Sequence, residues 1–190
     1  MKKKQLLCSL LFTSLALFIP ANTLVAKNVC DTIALKHDSL TVGNPILPGF
    51  HADPEILYSN KTGKYYIYST TDGIPGWGGY KYYVYSSADL KTWKNEGVAL
   101  DASTDQISWA NGNLWAPAAI EVKQKNGSYK YYLYFSARPN DNGRKQIGVA
   151  VSDSPTGPFV DLGKPLLAKN HPGCHGQLID VDVFIDPVSN

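Results

Sequence analysis

Four segments of the chain, three of them rich in tyrosine, have the apolar and aromatic composition of β-strands and lie between turn residues. They cover residues 64–70, 80–87, 129–137 and 145–152. Clusters of turn-forming residues (SNKTGK, KQKNGS and RPNDNGR) separate the hydrophobic runs. No stretch of about a dozen residues combines helical spacing of apolar residues with helix caps. The pattern therefore predicts an all-β fold without a long helix.

These strands belong to a repeat of about 63 residues, since Pro54 aligns with Pro117 and both open a strand, a polar turn and a tyrosine-rich strand. A third copy begins at residues 179–190, where Asp180 lies 127 residues after Asp53. Each unit holds about four strands, the content of one propeller blade. A β-sandwich with coincidental spacing is the alternative on the repeat alone. We predict a propeller of which this sequence holds about two and a half blades.

The repeat also indicates which carboxylates occupy equivalent positions. In a propeller the first strand of each blade lines the central channel, and this position holds Asp53, Ala116 and Asp180 in the three units. Two carboxylates that face one channel suit glycoside hydrolysis with inversion, which needs a separation of roughly 6.5–9.5 Å. In the alternative interpretation, Asp53 and Asp180 only begin turns or cap strands.

The N-terminus has the pattern of a secretory signal. A cationic head at residues 2–4 precedes an apolar run at residues 6–19, and the small residues Ala21 and Ala26 offer cleavage positions. We therefore expect a signal peptide over residues 1–26 and a secreted or periplasmic protein; a retained anchor is the alternative. Residues 27–43 form a lead with no readable structure, and no later stretch reaches transmembrane length.

The composition and charge of the chain exclude some classes of binding partner. The 190-residue chain is 44% hydrophobic and 18% charged, which excludes disorder, and its formal charge is +2. Without residues 1–26 the balance is 15 basic against 16 acidic residues, so neither nucleic acid nor a membrane surface is expected. Cys30 and Cys174 could pair in an oxidising compartment, although their spacing does not require it. These two cysteines and the scattered histidines provide too few ligands for a metal site.

Five short motifs in order along residues 44–190 resemble glycoside hydrolase family 43. They are NPILPGFHADPEI at 44–56, SSADLKTW at 86–93, LWAPAAI at 114–120, SDSPTGPF at 152–159 and LIDVDVFID at 178–186. The resemblance implies a five-bladed β-propeller and an inverting enzyme that cleaves arabinose- or xylose-containing polysaccharides. Residues 44–190 would then be a partial propeller without its C-terminal blades.

The resemblance also implies roles for the two aspartates. Asp53 matches the general base, and Asp180 matches the aspartate that orients the acid and raises its pKa by like-charge proximity. Val181 stands where proline usually follows, and Asp182 is a second candidate, but the repeat alignment selects Asp180. The family's general acid is a glutamate on the fourth blade. The glutamates of this sequence are Glu55, Glu96 and Glu121, and none of them lies in a matching element. The chain alone is therefore expected to be inactive.

Aromatic residues near Asp53 are expected to contact sugar. Trp115 is a candidate platform for the apolar face of a sugar ring, with packing between blades as the alternative. Phe50 and His51 flank Asp53 and are expected to shape the pocket, and Trp77 lies in a glycine-rich loop expected at its rim. No cofactor is expected. The resemblance allows a structural calcium ion in the full-length protein, for which this chain offers no ligand cluster.

Other functions stay open at this point. A non-catalytic glycan-binding propeller would keep the aromatic residues but need neither aspartate, and a scaffold would bind no sugar. The related five-bladed hydrolases of fructans and sucrose usually have an Asn-Asp-Pro element. Ala52 before Asp53 favours family 43.

Overall fold

The computed structural model describes residues 45–186 of the chain. The predicted signal peptide, the lead at residues 27–43 and Cys30 lie outside this range. Among residues 45–186 no helix is long and apolar enough to cross a membrane.

Eight strands form two four-stranded antiparallel sheets, which we call blade 1 and blade 2. Blade 1 consists of β1 (His51–Ser59), β2 (Lys64–Thr71), β3 (Lys81–Ser87) and β4 (Lys94–Asp101). Blade 2 consists of β5 (Trp115–Lys123), β6 (Tyr129–Ala137), β7 (Gln146–Ser152) and β8 (Val160–Asp161). In each sheet every strand pairs with the next, which is the meander order of a propeller blade. The predicted all-β, bladed fold is confirmed.

Glycine closes the first hairpin of each blade. The Gly63 amide donates to the Ser59 carbonyl (2.8 Å), and the Gly127 amide donates to the Gln124 carbonyl (2.9 Å). Both glycines have a left-handed backbone, with φ of 68° and 84°. Glycine adopts this conformation without the steric cost that a Cβ atom brings, so the predicted turns form at these positions.

The two inner strands, β1 and β5, carry the same irregularity. The register of β1 shifts between Ala52 and Glu55, and that of β5 shifts 63 residues later. The residue inside each bulge has a positive φ, 46° at Asp53 and 43° at Ala116. Such a backbone is uncommon for residues other than glycine. The sequence repeat is therefore also a conformational repeat, and the alignment is confirmed.

The hydrophobic core lies between the blades. Tyr68 of β2 packs edge-on against Phe159 at 6.2 Å, and its hydroxyl donates to the Pro155 carbonyl (2.5 Å). Phe159 and the blade-1 residue Trp93 each stand directly before an outer strand, as predicted. The fully buried side chains come from both sheets and include Tyr68, Tyr82, Leu100, Tyr131, Leu133 and Phe135.

A buried carboxylate also joins the blades. Glu121 of β5 accepts hydrogen bonds from the hydroxyl of Ser59 and from that of Tyr131 (2.8 Å). It accepts two more from the backbone amides of Asn60 (2.8 Å) and Lys61 (3.4 Å). Burial raises the pKa of Glu121, but these hydrogen bonds outweigh burial and lower it overall. Glu121 thus ties β5 to the first hairpin of blade 1.

The third unit does not form the strand that the repeat predicts. Residues 176–186 run along blade 2, where the Leu178 amide donates to the Lys145 carbonyl (3.1 Å). Residues 183–185 lie against an apolar cleft on the far face of blade 2, whose other lining residues are Ile120, Val122, Tyr132 and Tyr134. A strand needs a neighbour for its backbone groups, and residues 179–186 have no ladder partner within residues 45–186.

Candidate active site

Asp53 lies exposed in the bulge near the start of β1. Pro54 follows it, and proline is tolerated there because a bulge does not require its missing N–H. The carboxylate Oδ2 of Asp53 accepts a hydrogen bond from the hydroxyl of Thr70 (3.1 Å). Thr70 lies on β2 opposite Ala52, and its side chain is buried. The neighbouring strand β2 therefore fixes the Asp53 carboxylate through a buried side chain.

The same hydroxyl contacts blade 2. The backbone amide of Ala116 donates to Thr70 Oγ1 (2.9 Å). Ala116 is the repeat-equivalent of Asp53, so the two bulges meet through one threonine. The candidate base is thereby connected to the backbone of the next blade.

Tyr82 of β3 is a second buried residue near Asp53. Its hydroxyl donates to the carbonyl of Trp115 (2.8 Å). Burial, and secondly the charge of Asp53, raise the pKa of Tyr82 well above its ordinary value. A neutral phenol therefore lies close to the carboxylate and fixes the start of β5.

Trp115 is held on one ring face and at one edge. Its indole Nε1 donates to the carbonyl of Trp77 (2.5 Å), and the ammonium nitrogen of Lys145 lies 3.5 Å from its ring centroid. Lys145 also donates to the carbonyl of Asn113 (2.5 Å). Burial, with a smaller effect of the Arg138 charge, lowers the pKa of Lys145 to about 7. A sugar could stack only on the ring face that Lys145 does not cover.

Trp77 presents its indole to solvent from a fixed backbone. Its side chain is 80% exposed and its φ is 59°. The side-chain amide of Asn113 donates to its carbonyl (3.2 Å). A Cβ atom on Gly78 would come 2.4 Å from that amide nitrogen, so glycine permits the close approach of the two loops. The predicted rim residue is anchored by its backbone, and its ring is open.

His51 is engaged by the chain on both ring nitrogens. Its Nε2 lies 3.0 Å from the carbonyl of Pro48, and its Nδ1 lies 3.0 Å from Ser69 Oγ. A carbonyl only accepts, so the neutral ring carries its proton on Nε2 and Ser69 donates to Nδ1. The ring also packs edge-on against Tyr85 at 5.3 Å. His51 therefore supports the turn before Asp53 and has no ring nitrogen left for a sugar.

Phe50 differs from its neighbour His51, because its side chain is 69% exposed. One edge of the ring lies against Gly73, where a Cβ atom would come 3.0 Å from Phe50 Cδ2. Phe50 thus connects the turn before β1 with the loop that carries Trp77.

Asp180 shares the backbone conformation of Asp53, with a φ of 57°. It is exposed, and within residues 45–186 no hydrogen bond or ion pair joins it to Asp53. Asp182 instead accepts a hydrogen bond from the Val183 amide (2.7 Å). Burial, and secondly the charge of Asp182, raise the pKa of Glu55. The left-handed backbone supports the alignment of Asp180, and not Asp182, with Asp53.

The geometry brings three of the predicted residues together. Asp53 is joined through Thr70 to the start of β5, and Trp115 is joined there to Trp77. Sequence reasoning missed Thr70, Tyr82 and Lys145. Thr70 did leave a signal, since the repeat also has a hydroxyl at the matching position of blade 2.

Metal ligands do not cluster in the part of the chain that the structure describes. Within residues 45–186 no three His, Cys, Asp or Glu side chains are grouped so that they could hold a metal ion. Residues 45–186 therefore offer no such group of ligands for the calcium ion that the family resemblance allows in the full-length protein.

A family of known enzymes matches most of the chain. The family described as Glycosyl hydrolases family 43 matches residues 42–190. The arabinoxylan arabinofuranohydrolase of Bacillus subtilis (strain 168) is 35% identical over 162 residues, which cover 71% of this chain and 29% of that protein.

Solved structures give the same result. The GH43_1 enzyme from Xanthomonas citri complexed with xylose has a TM-score of 0.54 at 35% identity, covering 65% of this chain and 35% of that one. The α-L-arabinofuranosidase from Clostridium thermocellum ATCC 27405 has a TM-score of 0.54 at 38% identity, covering 72% of this chain and 44% of that one. The chain spans less than half the length of each relative.

Proposed function

The chain belongs to glycosyl hydrolase family 43, and from this premise we propose an inverting glycosidase that cleaves arabinose- or xylose-containing polysaccharides. The observation that carries the proposal is the exposed Asp53 carboxylate, held in a strand bulge by Thr70. The names of the relatives support the sugar class, because they describe arabinoxylan and α-L-arabinofuranoside activities and a xylose complex.

In this mechanism Asp53 is the general base. One carboxylate oxygen is engaged by Thr70, and the exposed remainder of the group accepts a proton from the water that attacks the anomeric carbon. Attack from the face opposite the leaving group inverts the configuration. Asp180 has the role of orienting the general acid and keeping it protonated by its negative charge.

The general acid is assigned to no glutamate within residues 45–186, because each is engaged elsewhere. Glu121 is buried between the blades, and Glu96 is bonded to Ser86 (2.7 Å) and Lys94 (2.6 Å). Glu55 is partly buried against the backbone amide of Ala119. We therefore expect no turnover by this chain alone on substrates whose leaving group must be protonated.

Aromatic side chains supply the sugar-binding surface in this proposal. The ring face of Trp115 that Lys145 leaves open, the rim indole of Trp77 and the exposed ring of Phe50 offer apolar faces for sugar stacking. The side chain of His51 only supports the turn beneath them.

The test uses substrates that do not need the acid. A 2,4-dinitrophenyl leaving group departs as a stable anion, so hydrolysis of its α-L-arabinofuranoside or β-D-xyloside depends on the base. We expect slow turnover by the chain, a loss of at least about 10²-fold in Asp53→Asn, and no loss in the control Glu96→Gln. Proton NMR of the first-formed sugar should show the inverted anomer.

Equal turnover in Asp53→Asn and in the unchanged chain would contradict the role of Asp53. The alternative function, a non-catalytic glycan-binding propeller, predicts a different pattern. In that case no variant turns over, and Asp53→Asn binds arabinoxylan oligosaccharides as tightly as the unchanged chain does in calorimetry.

Export is a separate proposal. The cationic head and the apolar run of residues 1–26 support cleavage after Ala26 and a secreted or periplasmic product. Intact-mass analysis of the protein recovered from the medium or periplasm would test it. A mature chain that still begins at Met1 would contradict the proposal.

A further inference from the structure

Thr70 and Ser136 occupy the same position in the two blades. Thr70 pairs with Ala52, and Ser136 pairs with Trp115, the residue before the bulge in each inner strand. Both side chains are buried, with 3% and 0% of their surface exposed. The position therefore offers an internal control for what the hydroxyl does.

The hydroxyls differ in their partners. Thr70 Oγ1 contacts the Asp53 carboxylate at 3.1 Å and the Ala116 amide at 2.9 Å. Ser136 Oγ has no hydrogen-bond partner within residues 45–186. The bulge beside Ser136 holds Ala116, which has no carboxylate. The hydroxyl is therefore buried in both blades, but in the described part of the chain it is hydrogen-bonded only in blade 1, where the bulge carries a carboxylate.

The direction of the two hydrogen bonds follows from counting protons. A threonine hydroxyl has one proton and two lone pairs, whereas a backbone amide only donates. The Ala116 amide therefore occupies a lone pair of Thr70, and the hydroxyl proton points to Asp53. A hydrogen bond to a charged acceptor is about twice as strong as a neutral one, so it can fix a carboxylate that is otherwise exposed.

We propose that Thr70 is a positioning residue for Asp53, and that its hydroxyl is oriented by the Ala116 amide of the next blade. Blade 2 has alanine and no acid at its own bulge, but it has the same left-handed backbone there, which directs the Ala116 amide to Thr70. The inference rests on the proposed function only in giving Asp53 the role of base. The contact itself is independent of that role.

The test compares Thr70→Val, which keeps the shape and removes the hydroxyl, with Thr70→Ser and with the matched control Ser136→Ala, all in the full chain. Three-bond NMR couplings report whether Asp53 holds one side-chain rotamer. We expect one rotamer in the unchanged chain, Thr70→Ser and Ser136→Ala, and averaged couplings in Thr70→Val. With the dinitrophenyl glycoside, kcat of Thr70→Val should fall about tenfold while KM stays within about twofold.

A single Asp53 rotamer in Thr70→Val would overturn the inference. If Thr70→Val does not fold, Asp53→Ala gives the answer, because position 53 is exposed and alanine has the same left-handed backbone at the matching position of blade 2. The Thr70 hydroxyl proton should then exchange with water at least about tenfold faster than in the unchanged chain; an unchanged rate would also overturn the inference. Failure of the proposed function is distinguishable, because it appears as unaltered turnover in Asp53→Asn whatever the couplings show.

Discussion

Blade 1 and blade 2 have the same backbone at the bulge of the inner strand, but only blade 1 carries a carboxylate there. Asp53 and Ala116 have φ values of 46° and 43°, although alanine gains nothing locally from a left-handed conformation. Its amide, however, reaches Thr70 and through it Asp53. The same left-handed backbone therefore occurs with and without a carboxylate, and in blade 2 it places an amide that the neighbouring blade accepts.

The blades also fill the same space with different side chains. At one matched pair of strand positions blade 1 has Ser69 opposite Tyr83, and blade 2 has Phe135 opposite Gly148. The large residue stands on the third strand in blade 1 and on the second strand in blade 2. Each pair combines one aromatic ring with one small residue, so the two rings do not compete for the same space.

The largest predicted effect concerns Glu121, which has no buried counterpart in blade 1. The matching residue there, Tyr58, is exposed, because blade 1 has no sheet on that side within residues 45–186. Glu121→Ala leaves two backbone amides without their acceptor, and of the Ser59 and Tyr131 hydroxyls, which lie 2.9 Å apart, only one can donate to the other. We expect a loss of about 3 kcal/mol in the free energy of unfolding, measured by urea denaturation.

Glu96→Ala is the matched control for this loss. Glu96 has comparable partners, Ser86 and Lys94, but lies on the outer strand, and its removal should cost no more than about 1 kcal/mol. Equal losses in the two variants would show that the blades are not held together by Glu121.

The second prediction concerns the packing of a large residue against a glycine in blade 2. A Cβ atom at Gly148 would lie 2.5 Å from Phe135 Cζ and 2.7 Å from Trp109 Cζ2. Those two rings are stacked with their centroids 5.9 Å apart, so the added methyl group meets both of them at once. Gly148→Ala should therefore destabilise the protein by about 2 kcal/mol, measured by urea denaturation.

Phe135→Leu makes room at the same place and supplies the control. In the double variant the added methyl should cost at least about 1 kcal/mol less than in the single variant. Strict additivity of the two changes would contradict the steric explanation.

The sequence predicted more of the blades than of the site, and the reason is physical. Strand composition and flanking turn residues are local signals, so the four apolar and aromatic runs predicted β2, β3, β6 and β7 almost to the residue. The position of Asp53 and Asp180 in the repeat could also be predicted, since nearly equal spacing accompanies the same left-handed backbone.

The contacts around Asp53 could not be predicted, because they join residues far apart in the chain. Thr70 and Ala116 are 46 residues apart, and the ammonium of Lys145 lies over the ring of Trp115. The engagement of both His51 nitrogens likewise depends on the fold of the preceding turn. The prediction of a strand in the third unit, at residues 179–186, was wrong for a related reason, since a strand pattern in the sequence does not supply the neighbouring strand that it must pair with.

The third prediction compares the lysines near the start of the third strand of each blade. A hydrogen bond from Lys81 to Asp101, and the charge of that carboxylate, raise the pKa of Lys81, whereas burial lowers that of Lys145 to about 7. Between pH 7 and about 10.5, folded Lys145 holds fewer protons than the unfolded chain does. Its contribution to stability should therefore rise with pH through this window.

Lys145→Met removes this titration while keeping the length of the side chain. The stability of the unchanged chain relative to Lys145→Met should increase from pH 7 to pH 10, measured by urea denaturation at each pH. Lys81→Met, at an exposed position, is the control and should show no such increase. A constant difference for Lys145→Met would mean that burial does not depress its ionisation.

The smallest expected effect gives the sharpest test of the comparison between the blades. Ser136 Oγ is buried without a partner in the described part of the chain, so the folded state gains no hydrogen bond there and loses the hydration of the hydroxyl. Ser136→Ala should leave the free energy of unfolding within about 0.5 kcal/mol of the unchanged chain, or raise it slightly. Thr70→Val, at the matched position, should lower it by about 1–2 kcal/mol, because it leaves the Ala116 amide without an acceptor. A loss in Ser136→Ala as large as that in Thr70→Val would mean that the hydroxyl of blade 2 also serves a partner, and the difference between the blades would then not lie in the acid.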